Sequence, residues 1–78
     1  MIVSPYQLVA EALDCDPASL NADSGLNRHP DWDSMGHLNV MLALERLYGI
    51  EINDQSIVRF GAMAEIIAHH SGMTGNGG

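Results

Sequence analysis

Apolar residues recur at helical spacing in three separate segments of the chain. The first segment begins after Ser4, a favoured capping residue, with Pro5 at the first helical position. Pro17 stands close behind Asp14, so we expect this helix to end near Asp14. Its apolar residues follow at i, i+3, i+4 and i+7 and form one face: Tyr6, Val9, Ala10 and Leu13.

The second segment, residues 34–48, carries apolar residues on two sides of the predicted helix. At about 100° per residue, one broad side holds Val40, Met41, Leu44, Leu47 and Tyr48. A second stripe, nearly opposite, holds Met35, Leu38 and Leu42. A helix in a small bundle needs one apolar side for the core, so the second stripe is surplus. Either the long preceding loop covers it, or it is an exposed face where a partner docks.

Shorter elements complete the pattern. The mostly polar stretch 14–33 forms a long loop with a helical turn at Pro17, and Leu20 and Leu26 are apolar anchors for it. After an extended connector at 50–52, a short helix begins at Asn53 or Asp54 and ends near Val58, and the last helix packs through Met63, Ile66, Ile67 and His70. We therefore predict an all-α fold, a small up-down helical bundle with three main helices, one short helix and a long first loop. Residues 1–70 form the domain, and 71–78 form a flexible Gly-rich tail.

Composition restricts the partners and the compartment. A chain of 78 residues is one domain with a small core, and its net charge is −7 with three Lys and Arg residues in total. So few cations argue against nucleic acid and favour basic protein surfaces as partners. A single cysteine, Cys15, rules out an internal disulfide and fits a reducing compartment; we expect it to be a small buried apolar residue. No stretch is apolar enough to span a membrane, and Met1-Ile2-Val3 shows no signal-peptide pattern. We expect a cytoplasmic monomer.

Catalytic and metal sites are poorly supported by the residue pattern. Ser34 and His37 suggest a nucleophile and a base, but no third group or oxyanion hole accompanies them, so we do not expect an enzyme. The acidic stretches 14–16 and 31–33 lack the ligand ladder of a calcium loop. We interpret them as solvated carboxylates with at most weak divalent binding. His69-His70 point about 100° apart on a helix and cannot chelate one ion well. No metal site is predicted.

Ser34 stands where the polar loop gives way to the second helical pattern. Serine is a favoured N-cap, so its simplest role is to cap this helix. The same position suits a phosphate, because unpaired backbone N–H groups and the helix dipole both favour negative charge there. The two roles are compatible.

The segment DSMGHLNVMLALERLYGIEI, residues 33–52, resembles the acyl (peptidyl) carrier protein family, in which an Asp-Ser-Leu motif carries 4′-phosphopantetheine on its serine. Here the motif is Asp-Ser-Met, and the resemblance extends over roughly residues 4–70. It implies that Ser34 is the attachment residue and Asp33 its acidic neighbour. It also implies a protein without catalytic activity that presents acyl or aminoacyl thioesters to other enzymes. The partners would be a phosphopantetheinyl transferase, a loading ligase and a downstream transferase or synthase.

The resemblance also places a partner-recognition face on the second helix. The residues in those positions are Met35, Leu38, Asn39, Leu42, Glu45 and Arg46. Fatty-acid-type carriers tend to be acidic where Asn39, Arg46 and Gly36 stand here, so we expect a stand-alone carrier of a specialised pathway. The alternative is a non-catalytic helical interaction module in which Ser34 is only an N-cap.

Overall fold

Four α-helices form the fold between residues 3 and 74, the part of the chain that the computed structural model describes. They are α1 (Pro5–Leu13), α2 (Ser34–Tyr48), α3 (Asp54–Arg59) and α4 (Met63–Thr74), with a 3₁₀ turn at Pro17–Ser19. Over these residues there is no β-strand, and a single isolated bridge joins Gly25 to Ala62. The predicted all-α fold, a small bundle with three longer helices and one short helix, is confirmed. None of the described helices has the length and apolar character needed to cross a membrane.

Local sequence signals set the ends of α1. The Ser4 side chain accepts a hydrogen bond from the Gln7 amide at 3.2 Å, and Pro5 occupies the first helical position as predicted. The helix stops at Asp14, whose φ of 57° is left-handed. Its buried face packs against α2 and consists of Leu8, Val9, Ala10 and Leu13.

The core side of α2 differs from the prediction at two positions. Val40, Met41, Leu44 and Tyr48 are buried as expected. Leu47, however, is 40% exposed, because 100° steps place it at the edge of the buried arc of α2. His37 is buried instead, since 100° steps place it between Leu44 and Tyr48, in the middle of the buried side. A polar residue thus occupies the centre of the core face.

Backbone hydrogen bonds tie the long first loop to the turn between α3 and α4. The Leu26 amide donates to the Gly61 carbonyl at 2.7 Å, and the Met63 amide donates to the Ser24 carbonyl at 2.9 Å. Leu20 is buried and Leu26 packs against the core, so both act as the predicted anchors. These contacts explain how a loop of this length is accommodated in a small domain.

The second half of the fold begins with a capping box at Asn53 and ends later than predicted. The Asn53 side chain accepts from the Ser56 amide at 2.8 Å, while the Ser56 hydroxyl accepts from the Asn53 amide. α4 continues to Thr74, so residues 71–74, predicted as part of the tail, are helical. Residues 75–78 lie outside the described part of the chain.

Tyr48 closes the C-terminal end of α2 against the chain start. Its hydroxyl donates to the Val3 carbonyl at 2.6 Å, and its ring lies 6.2 Å from the ring of His69 on α4. Burial raises the pKa of Tyr48 from 10.0 to about 12 because the phenolate would lose solvation.

We predict that Tyr48 makes the fold sensitive to alkali. Between pH 10.0 and about 12 the unfolded chain loses the phenolic proton while the folded chain keeps it. The unfolded state then binds fewer protons, so the free energy of unfolding falls as pH rises through this range. Urea unfolding across the range should show this fall in the wild type and in Tyr6→Phe, but a smaller one in Tyr48→Phe. An unchanged slope in Tyr48→Phe would contradict the assignment.

Candidate functional site

Ser34 is the first residue of α2, and it does not cap the helix. The cap is Asp33, whose Oδ1 accepts a hydrogen bond from the Gly36 amide at 2.8 Å. The predicted N-cap role of Ser34 is therefore wrong. Its side chain is exposed, and its hydroxyl makes no hydrogen bond with the residues that the structure describes. Because Asp33 performs the capping, the Ser34 hydroxyl is left available for other chemistry.

The backbone around Ser34 favours negative charge. Two of the first four amides of α2 donate to Asp33. The Gly36 amide donates to the Asp33 side chain, and the His37 amide donates to the Asp33 carbonyl. The amides of Ser34 and Met35 have no acceptor among the described residues. The partial positive charge of a 15-residue helix is concentrated at these groups. A phosphate ester on Ser34 would lie at the favourable end of the dipole.

A buried chain of hydrogen bonds fixes the first turn of α2. Trp32 is 0% exposed and His37 is 4% exposed. The Trp32 indole N–H donates to His37 Nδ1 at 3.0 Å, and His37 Nε2 lies 2.7 Å from the Ile57 carbonyl of α3. A carbonyl accepts only, so Nε2 carries the proton and the neutral imidazole satisfies both bonds. The chain joins the end of the loop, α2 and α3.

This arrangement decides two questions that the sequence left open. Trp32 covers the junction of the loop and the helix and is not exposed to a partner. His37 has both ring nitrogens engaged, so it has no free lone pair to serve as a base for Ser34. A Ser–His nucleophile pair is therefore not formed by these residues.

Gly36 allows the loop and α1 to approach α2 closely. A Cβ built on Gly36 would lie 2.5 Å from the Asp31 carbonyl oxygen and 2.7 Å from Leu13 Cδ2. Any side chain, including an acidic one, would displace the loop end that holds Asp33. The absence of an acidic residue at this position thus has a steric reason in this chain.

The surplus apolar stripe of α2 is exposed. Met35 is 72% exposed, Leu38 54% and Leu42 55%, so the hypothesis that the loop covers them is wrong. Together with three further exposed residues they form the surface that we call the α2 outer face: Met35, Leu38, Asn39, Leu42, Glu45 and Arg46. Part of this face lines an open groove of about 720 Å³ that also reaches Glu11 and Ala12 of α1.

Two features of the structure were missed by reasoning from the sequence. The Trp32–His37 pair spans five residues across a loop–helix boundary, and no periodic pattern indicates such a contact. Val58 on α3 is 81% exposed and directly follows Ile57, whose carbonyl is bound to His37. The exposure of Val58 could have been inferred from its position, because a helix as short as α3 cannot bury apolar residues on both of its sides.

Comparison of the chain with protein-family models and with solved structures gives no match in either case. The function of the site must therefore be inferred from its own residues.

We predict opposite effects for alanine at two helical glycines. Gly36→Ala should destabilise the fold by about 1–3 kcal/mol, because the new methyl group meets backbone and Leu13 in a packed region. Gly72→Ala on α4 is the matched control, since a Cβ there meets nothing within 4 Å. Because alanine favours a helix more than glycine does, Gly72→Ala should raise the free energy of unfolding by up to about 1 kcal/mol. Urea unfolding of both variants checks this, and equal effects would refute the proposed close packing.

Proposed function

We propose that this protein is a stand-alone acyl or aminoacyl carrier, with 4′-phosphopantetheine attached through a phosphodiester to Ser34. The observation that carries the proposal is that the two adjacent residues at the start of α2 have different roles. Asp33 caps the helix, and the neighbouring Ser34 hydroxyl is exposed and free of hydrogen bonds with the described residues. A serine required only for capping would instead bond to the backbone of the first turn.

The attachment point combines access with a fixed position. Ser34 is exposed, so a modifying enzyme can reach its oxygen. The residues on either side are held by the Asp33 cap and by the buried Trp32–His37 bond. The open helix amides then stabilise the phosphodiester charge. When bound, the prosthetic group supplies a thiol that holds an acyl or aminoacyl group as a thioester.

The α2 outer face is the proposed docking surface for the enzymes that act on the cargo. They comprise a phosphopantetheinyl transferase, a loading ligase and a downstream transferase or synthase. The face starts one residue after Ser34 and offers three exposed apolar side chains. Its charged members, Glu45 and Arg46, have opposite signs, so local charge contributes little, whereas the net charge of −7 still attracts a basic partner at long range.

The second candidate is a helical interaction module without a prosthetic group. It is favoured by the exposure of Met35, Leu38 and Leu42, which would serve a docking partner whether or not Ser34 is modified. The two candidates differ in what they require of the Ser34 hydroxyl.

We predict that Ser34 accepts phosphopantetheine. After incubation with coenzyme A and a broad-range transferase, mass spectrometry should show one added group on the wild type and on Ser71→Ala, an exposed serine of α4. Ser34→Ala should remain unmodified. A wild type that no transferase modifies would remove the carrier proposal and leave the interaction module. Modification of Ser34→Ala would place the site elsewhere.

We predict that docking depends more on apolar contact than on local charge. Leu42→Ala should raise the KM of the transferase about tenfold, corresponding to about 1.4 kcal/mol of lost burial. Glu45→Gln should change it less, because exposed charge pairs contribute about 0–1 kcal/mol. Leu44→Ala is the control, because Leu44 is a core residue that is 0% exposed. This variant should lower the melting temperature. If Leu42→Ala also unfolded the domain with KM unchanged for the folded fraction, Leu42 would belong to the core.

A further inference from the structure

The two ends of the long first loop bring three metal-ligating side chains together. Cys15 follows α1, and His29 and Asp31 precede α2, yet one ligand atom of each lies within 4.8 Å of the other two. Cys15 and His29 are half-buried and Asp31 is exposed. Cys15 packs against the core as expected but is only partly buried, so its sulfur also reaches this cluster. We propose that Cys15, His29 and Asp31 bind a divalent transition-metal ion, with Zn²⁺ as the best match.

Hydrogen bonds hold the three residues in place without the ion. The Cys15 amide donates to the Ala10 carbonyl at 2.9 Å, which fixes Cys15 at the end of α1. His29 Nε2 lies 3.0 Å from the Ser19 hydroxyl, and His29 Nδ1 accepts the Asp31 amide at 3.0 Å. The imidazole is thus oriented from both sides.

The donor set selects the class of metal. A thiolate, an imidazole and a carboxylate are ligands that Zn²⁺ accepts together, whereas Mg²⁺ and Ca²⁺ require oxygen donors. Around one zinc ion, ligand atoms would lie roughly 3.5 Å apart at tetrahedral geometry. The observed limit of 4.8 Å is close enough for side-chain rotation to close the site. Three protein ligands leave a fourth position for water.

Binding has identifiable costs. The ion must displace one partner of His29; if it takes Nδ1 from the Asp31 amide, the bond from Nε2 to Ser19 remains as an outer-sphere support. The Cys15 thiol releases its proton to solvent as the sulfur–metal bond forms. Arg28 lines the same open cavity and opposes a cation, while Asp16 and Asp23 line it and offset that charge.

Titration of the reduced full chain with Co²⁺, a spectroscopic substitute for Zn²⁺, tests the proposal. The wild type should bind one ion and show thiolate-to-cobalt charge-transfer absorption, which Zn²⁺ abolishes by displacement and Mg²⁺ leaves unchanged. Cys15→Ser should lose the absorption. His29→Gln should weaken binding at least about tenfold, since loss of even outer-sphere partners commonly costs 10–100-fold.

Asp14→Asn is the matched control, because it removes the same charge beside Cys15 and keeps the left-handed turn that asparagine tolerates. It should bind as the wild type does, whereas Asp31→Asn should bind more weakly. Circular-dichroism melts of the metal-free variants separate lost binding from lost folding. Absence of the absorption in a folded wild type, or unchanged Zn²⁺ affinity of Cys15→Ser by calorimetry, would overturn the proposal. Neither readout depends on modification of Ser34.

Discussion

The hydrogen bonds from Trp32 to His37 and from His37 to Ile57 are the interactions on which the rest of this structure depends. Both side chains are shielded from water, so neither could replace its partner with solvent. A buried polar group without a hydrogen-bond partner would destabilise the folded state, so the two rings are restricted to one mutual arrangement. Because the three residues belong to the loop, α2 and α3, this single chain of bonds fixes how those segments meet.

The position of Ser34 follows from that arrangement. Trp32 and His37 lie on either side of it in sequence, and both are anchored in the core. Asp33 caps the helix. Gly36 has no side chain, so the loop backbone packs directly against the first turn of α2. Ser34 is thus an exposed residue in a turn whose neighbours are fixed. Such a turn suits a residue that must be reached by several enzymes and yet be presented in a constant orientation.

The exposed apolar surface that starts at this turn fits the proposed role. The α2 outer face begins one residue after Ser34 and continues along the exposed side of α2. The proposed metal ligands lie at the opposite side of Trp32 in sequence, within the same loop. A bound ion would join the two ends of this loop, as the hydrogen bonds to the α3–α4 turn already join its middle to the bundle.

The sequence by itself determined the helices, because spacing along the chain sets the direction of each side chain around a helix axis. Ser4 with Pro5, and later Asn53, marked the starts of helices by local chemistry. The pattern suggested Ser34 as the cap, whereas the structure gives that role to Asp33; both are good caps, and only the side-chain geometry separates them. The Trp32–His37 bond and the cluster of Cys15, His29 and Asp31 were decided by tertiary structure alone. Those contacts involve residues of a loop that has no helical periodicity, so no sequence spacing indicates them. They form only once the loop has folded onto the bundle.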